Sequence, residues 1–99
     1  MATLHVISHS PFADTRLDSC LRLLGSADGL LLCGDAAYAL MPSSAQLKAL
    51  QPLIDSSHLF VLDEDISARN LTLPAGVNRI DYPAFVDLSL RFDKVNTWL

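Results

Sequence analysis

The two cysteines are the side chains best suited to covalent chemistry. Cys33 follows the apolar run Leu30–Leu32 and precedes Gly34, so it stands at the end of a predicted strand and just before a helix N-terminus. A helix dipole at that place lowers the pKa of a thiol, but the sequence explains Cys33 better as the last buried residue of the strand. Cys20 lies among leucines on the apolar stripe of a predicted helix, a setting that keeps a thiol protonated and inert. The residues alone favour core roles for both cysteines and leave a nucleophilic role open.

Other polar side chains allow weaker hypotheses. His5 and His9 flank the first apolar run and could bind a metal ion together with Cys33, but a structural zinc site needs four ligands at recognisable spacing. Solvation or hydrogen bonding in the core explains both histidines better. The acidic run 63–65 could act in acid/base catalysis, but capping of a helix and pairing with its dipole account for it adequately.

Common cofactor motifs are missing from the sequence. There is no GxGxxG, no GxxxxGK[ST], no CxxC and no HExxH. A flavin phosphate would need a hydroxyl- and glycine-rich loop after the first strand, and Ser8-His9-Ser10-Pro11 has the hydroxyls without the glycine. We therefore expect no cofactor and no metal ion.

Four aromatic side chains are candidates for anchors at a protein interface, where aromatic residues are enriched. Ordinary core packing is the alternative for each of them. The candidates are Tyr38, Tyr82, Phe85 and Trp98.

Length and composition limit the architecture. A chain of 99 residues forms a single domain, here residues 1–99, and 51% apolar residues with 18% charged residues exclude a disordered tail. Nineteen leucines and eleven alanines exceed what one small core needs, so some apolar surface is expected to meet a partner. The net charge of −4 argues against direct binding of nucleic acid. Without a signal peptide or a membrane-spanning run, we expect a cytoplasmic protein.

Short buried strands alternate with helical patterns along the chain. Strands are predicted at Leu4–Ile7, Leu30–Cys33, Leu59–Leu62 and Val77–Ile80, and helices at residues 17–24, 36–40, 45–50, 63–71 and from Pro83. Strands that are apolar on both faces are typical of a parallel sheet covered by helices. The sequence therefore predicts a small α/β domain, with a parallel sheet of four to five strands and helices on both faces.

Several boundaries follow from local signals. Asp35 is expected to cap the second helix, Ser43 or Ser44 the third, and Pro52 to close the third. Apolar residues wrap around the last helix, so one side of it can pack on the sheet and another on a neighbour. The apolar tail 94–99 suits an edge strand or a docked segment.

Five segments in this order and spacing resemble the DsrH/TusB family of sulfur-relay proteins, and the similarity covers nearly the whole chain. The segments are Leu4-His5 with Ser8–Phe12, Gly34–Tyr38, Val61–Arg69, Ile80–Leu88 and the terminal Trp98. The resemblance implies a DsrE/F/H-type fold and assembly with two homologous subunits, TusC-like and TusD-like, into a dimer of heterotrimers. It also implies transfer of persulfide sulfur to a TusE-type or DsrC-type carrier, for 2-thiolation of a tRNA wobble uridine or for sulfur oxidation.

The same resemblance bears on the two thiols. In the tRNA branch the relay cysteine belongs to the TusD-type subunit, whereas DsrH-type chains resemble this one in having a cysteine on the first helix, at Cys20. Cys33 receives no support from the family. The sequence leaves three hypotheses open: an accessory subunit of the relay complex, a sulfurtransferase that uses Cys20 or Cys33 itself, and a homo-oligomeric module joined through the last helix and Trp98.

Overall fold

A parallel sheet of five strands forms the centre of the computed structural model, which describes residues 2–13 and 15–98. The strand order is β4-β3-β2-β1-β5, and every neighbouring pair is parallel. The strands are β1 (Thr3–Ile7), β2 (Gly29–Leu32), β3 (Leu59–Leu62), β4 (Asn78–Ile80) and β5 (Lys94–Trp98). This confirms the predicted parallel α/β architecture and places the tail at the edge of the sheet. The predicted apolar end of that tail, Leu99, lies outside the described residues.

Within the described residues, four α-helices and one 3₁₀ helix connect the strands. They are α1 (Arg16–Leu23), the 3₁₀ helix (Gly34–Leu40), α2 (Leu47–Asp55), α3 (Asp63–Arg69) and α4 (Tyr82–Arg91). Asp81 caps α4, because its Oδ1 accepts a 2.9 Å hydrogen bond from the backbone N–H of Ala84. Asn70 ends α3 in the left-handed conformation, with φ of 52°, a conformation that asparagine tolerates better than most residues.

Three predicted helix ends are wrong. Asp35 lies inside the 3₁₀ helix, where its carboxylate pairs with an arginine and caps nothing. Ser44 only organises the turn before α2, accepting a hydrogen bond from the backbone N–H of Gln46. Pro52 does not close α2, which continues to Asp55 because Ile54 packs into the core, and this burial outweighs the hydrogen bond that a proline lacks.

Two apolar clusters pack on opposite faces of the sheet. The first cluster combines Ile7, Leu30, Leu32 and Val61 with side chains from α1, the 3₁₀ helix, α2 and α3. The second joins the alternate strand residues to Leu88 of α4; its buried members are Leu4, Val6, Leu31, Phe60, Leu62 and Leu88. Helices therefore cover both faces, as predicted, but α4 is the only helix that supplies buried residues to the second face within the described chain.

Gly29 allows the end of α4 to approach the sheet closely. A Cβ atom at Gly29 would lie 2.7 Å from Cζ of Phe92 and 3.3 Å from Cδ1 of Leu4. Because both neighbours belong to the second cluster, the missing side chain gives Phe92 its place over β2.

Candidate functional site

The carboxyl ends of β1 to β4 meet at one edge of the sheet, where ligands of parallel α/β folds usually bind. The segments that follow these strands begin at Ser8, Cys33, Asp63 and Asp81, and the one after β3 is helix α3 itself. The backbone N–H of Cys33 continues the sheet by donating a 3.0 Å hydrogen bond to the carbonyl of Ile7. This edge therefore brings together the thiol of Cys33 and the acidic residues that follow β3.

Arg69 of α3 organises the centre of this edge. Its guanidinium donates hydrogen bonds of 2.8 Å to Asp35 and 3.3 Å to Asp65, and lies 5.6 Å from the centre of the Tyr38 ring. The hydrogen bond to Asp35 raises the pKa of Arg69, against the opposing effect of burial. The Nε atom is buried and has no hydrogen-bond partner within the described residues. Tyr38, a predicted interface anchor, is thus occupied on one face by an arginine.

A second ion pair accounts for the rest of the acidic run. Arg79 of β4 donates hydrogen bonds to the carboxylate of Asp63 and to Oγ of Ser67, the latter at 3.0 Å. Glu64 is exposed, and Leu62 occupies the capping position of α3 without a side-chain hydrogen bond. The acidic residues therefore pair with arginines and with the helix dipole, whereas the predicted side-chain capping is wrong.

Cys33 is half-buried at this edge and packs beside the second cluster. Its thiol lies 3.5 Å from the carbonyl oxygen of Ile7, to which it donates a hydrogen bond. Burial, followed by the negative charge of Asp65, raises the pKa of Cys33, while Arg69 acts in the opposite direction. A partly accessible thiol beside a cation keeps some capacity for reaction, but most of it is protonated at neutral pH.

Cys20 occupies a different environment. It is fully buried at 0% exposure in the first cluster, as its place on the apolar stripe of α1 predicted. Burial, followed by the charge of Asp28, raises the pKa of Cys20 to about 12. The two thiols lie on opposite faces of the sheet, so the fold does not bring the two candidate sulfur carriers together.

The outer side of α4 carries an uncovered apolar line. Tyr82, Val86 and Leu90 recur every four residues and are 51%, 57% and 79% exposed. We call these three residues the α4 stripe. Phe85, another predicted anchor, is half-buried and packs inward on the second cluster. The two apolar sides predicted for the last helix are therefore present, and one of them faces solvent.

Trp98, the last predicted anchor, takes part in a polar network within the fold. Its indole Nε1–H donates a 3.1 Å hydrogen bond to Nδ1 of His5. The other nitrogen of His5, Nε2, lies 3.5 Å from Oδ2 of Asp28. His5 is buried, which confirms core hydrogen bonding as its better explanation. Within residues 2–13 and 15–98, no group of three His, Cys, Asp or Glu side chains is placed to hold a metal ion.

The sequence did not identify the roles of Asp28 and Arg69, the two residues at the centre of these networks. Asp28 stands in a turn after α1, and no local signal shows that it reaches the backbone of β1. Arg69 follows the acidic run 63–65 within the predicted helix 63–71, and these acidic neighbours are the hint that the sequence offers of its role. Among the described residues, no helix is long and apolar enough to cross a membrane.

The strand order and the covering helices define a class of small α/β proteins that also contains ychN from E. coli. That structure superposes with a TM-score of 0.80 at 20% identity, over 99% of this chain and 100% of the other. A second structure of the class, the protein of unknown function MTH1491 from Methanobacterium thermoautotrophicum, gives a TM-score of 0.65 at 11% identity, over 96% of each chain.

The sequence comparisons define the family within this class. Residues 9–95 match the family described as DsrH like protein. Proteins named TusB from Yersinia pestis (strain Pestoides F) and Yersinia pseudotuberculosis (serotype O:1b, strain IP 31758) are 38% identical over 97 residues, which is 96% of this chain and 99% of each relative. The chain therefore belongs to the DsrH/TusB family, and the resemblance noted in the sequence is confirmed.

Proposed function

We propose that this chain is an accessory subunit of a cytoplasmic complex that passes persulfide sulfur to a TusE-type or DsrC-type carrier. Family membership supports a role as a sulfur-relay subunit. For the composition of the complex, we propose that TusC-like and TusD-like subunits join this chain in a dimer of heterotrimers. The product of the relay would be 2-thiolated wobble uridine in tRNA.

The observation that carries the proposal is the exposed α4 stripe. Tyr82, Val86 and Leu90 form a continuous apolar line on the one helix that covers the second face of the described sheet. Exposed apolar residues in such a line are typical of protein interaction sites. A homologous subunit covering this line would bury the apolar surplus already visible in the composition.

The state of the thiols supports an accessory role over a catalytic one. A sulfur carrier needs an accessible thiolate with a low pKa. Cys20 is fully buried with a pKa of about 12, and the pKa of the half-buried Cys33 is also raised. The net charge of −4 fits a protein that acts before the tRNA is bound, because phosphate binding needs clustered basic residues.

Copurification tests the proposal. The chain is coexpressed with TusC-like and TusD-like chains of the same organism, and the complex is isolated through a tag on the TusD-like chain. We expect the wild type and Leu23→Glu to copurify and Leu90→Glu to be lost. Leu23 is a matched control, since it is a 67% exposed leucine on α1, at the other face of the sheet. A wild-type chain that stays monomeric beside both partners would contradict the proposal.

A self-sufficient sulfurtransferase is the second candidate, favoured by the position of Cys33 at the carboxyl edge beside Arg69. Here a donor persulfide would transfer its outer sulfur to a thiolate of this chain, and the donor thiolate would leave. Mass spectrometry after incubation with a low-molecular-weight persulfide would then show one added sulfur on Cys33 or Cys20. Relay that continues in both Cys33→Ser and Cys20→Ser would exclude this candidate.

Two further observations separate the remaining alternatives. A gene neighbourhood with TusC-, TusD- and TusE-like genes and without sulfite reductase genes would select tRNA thiolation over a DsrH-type role in sulfur oxidation. Light scattering on the isolated chain would detect self-association, which the homo-oligomeric module requires and the hetero-complex does not.

A further inference from the structure

The partly buried contact between Trp98 and His5 constrains the protonation state of the imidazole. Because Nε1 of Trp98 is a donor only, Nδ1 of His5 must accept, and the ring proton must lie on Nε2. Nε2 in turn faces the carboxylate of Asp28 at 3.5 Å. The observed contact is therefore compatible with the neutral form of His5 and incompatible with a proton on Nδ1.

The carboxylate of Asp28 would still stabilise the imidazolium form of His5. Asp28 accepts hydrogen bonds from the backbone N–H groups of Thr3 at 2.9 Å and Gly25 at 2.8 Å, so its carboxylate stays fixed whether or not the indole is present. Protonated His5 would be attracted to this carboxylate, while its new Nδ1–H would oppose the N–H of Trp98. Protonation thus breaks the indole contact and keeps the ring in place.

The other described groups around His5 do not relieve the repulsion between its protonated Nδ1–H and the N–H of Trp98. On β5 the residue opposite His5 is the uncharged Asn96, and on β2 it is the apolar Leu30. α1 contributes Cys20, whose raised pKa keeps it neutral. Lys94 lies at the far end of β5, opposite Thr3. Asp28 is therefore the charged group in contact with His5 among the described residues.

Trp98 is the main anchor of the strand end. It is half-buried against the first cluster, whereas the other four residues of β5 are exposed. Apart from the indole contact and this packing, the strand is held at its end by backbone pairing with Ile7 of β1. Loss of the contact with His5 would therefore act first on the carboxyl end of β5.

We propose that His5 and Trp98 form a pH-sensitive latch on the C-terminal edge strand. Neutral His5 holds the indole. Uptake of one solvent proton at Nδ1 releases the indole to water and frays the end of β5, while Asp28 retains the imidazolium. Mild acid would thus loosen one edge of the sheet without unfolding the domain.

Fluorescence of the full chain tests the latch, because Trp98 is its single tryptophan. Between about pH 8 and about pH 5, we expect a red shift of the emission maximum and easier quenching by acrylamide. Far-UV circular dichroism should stay constant over this range. His9→Asn and His58→Asn should behave as the wild type does. In His5→Asn, the side-chain oxygen replaces Nδ1 as an acceptor at every pH, so the pH dependence of the emission and of the quenching should disappear.

Several results would overturn the latch. The latch is contradicted if the emission maximum and the acrylamide quenching of the wild type do not change with pH. It is also contradicted if the pH dependence of the emission persists in His5→Asn, or if the circular dichroism signal falls in parallel.

If His5→Asn does not fold, Trp98→Phe replaces it, since phenylalanine lacks the donor. The midpoint of urea unfolding should then be lower for Trp98→Phe than for the wild type at about pH 8, and equal at about pH 5. A difference that is the same at both pH values would contradict the latch.

Discussion

Oδ1 of Asp28 accepts a 2.9 Å hydrogen bond from the backbone N–H of Thr3, 25 residues earlier in the chain. Oδ2 of the same carboxylate accepts a 2.8 Å bond from the backbone N–H of Gly25. One buried side chain thus joins the first residue of β1 to the turn after α1. The contact fixes the amino end of β1.

Asp28→Ala should lower the free energy of unfolding by about 1–2 kcal/mol, because it leaves two partly buried backbone donors without their acceptor. Urea unfolding at neutral pH measures this difference. Asp87→Ala on the exposed side of α4 is the matched control and should change stability by less than about 0.5 kcal/mol. Equal effects of the two substitutions would contradict a structural role for the Asp28 network.

The same variant should show a pH-dependent effect. Burial acts to raise the pKa of Asp28, but the hydrogen bonds from Gly25, Thr3 and His5 together hold it below its ordinary value. The stability that ionised Asp28 contributes is therefore present in full above the ordinary carboxyl pKa of about 3.9 and is lost as pH falls through the lower folded value. The difference between wild type and Asp28→Ala should shrink over that acidic range, and a constant difference would refute the ionic contribution.

The two thiols should react at very different rates. In the native protein, a disulfide reagent at about pH 8 should modify Cys33 at least about 10-fold faster than Cys20, since thiolate fraction and exposure both control the rate. Cys33→Ser should leave a slow reaction that becomes fast in urea, and Cys20→Ser should keep the fast native reaction. Faster native labelling of Cys20 would show that α1 opens more readily than its burial indicates.

Local sequence patterns were sufficient for the fold but not for the networks that fix its edges. The buried elements carry their own apolar patterns, so β3 and the two-sided α4 could be located without tertiary information. The predicted cap at Asp35 was wrong because its carboxylate pairs with the distant Arg69. The predicted helix end at Pro52 was wrong because the burial of Ile54 extends α2 beyond it. The roles of Asp28 and Arg69 depend on partners 25 and 34 residues away, which no local pattern can reveal.

Gly29→Ala should destabilise the packing between β2 and α4. The new Cβ would lie 2.7 Å from Cζ of Phe92, so the ring or the helix end must shift, at a cost of about 1–3 kcal/mol. Gly25→Ala is the control, because its Cβ would meet only side-chain atoms of Asp28, at 3.4 Å or more. Thermal unfolding compares the two variants, and an unchanged transition in Gly29→Ala would show that Phe92 repacks freely.

Arg69→Lys should separate charge from geometry at the carboxyl edge. A guanidinium can reach Asp35 and Asp65 at once and lie over Tyr38, whereas an ammonium is a single point charge on a flexible stem. With the Arg69 side chain 21% exposed and that of Asp35 60% exposed, the expected loss is modest, about 0.5–1 kcal/mol in urea unfolding. Arg91→Lys, an exposed arginine on α4, should have no measurable effect. If Arg69→Lys is as stable as the wild type, positive charge alone holds the edge together.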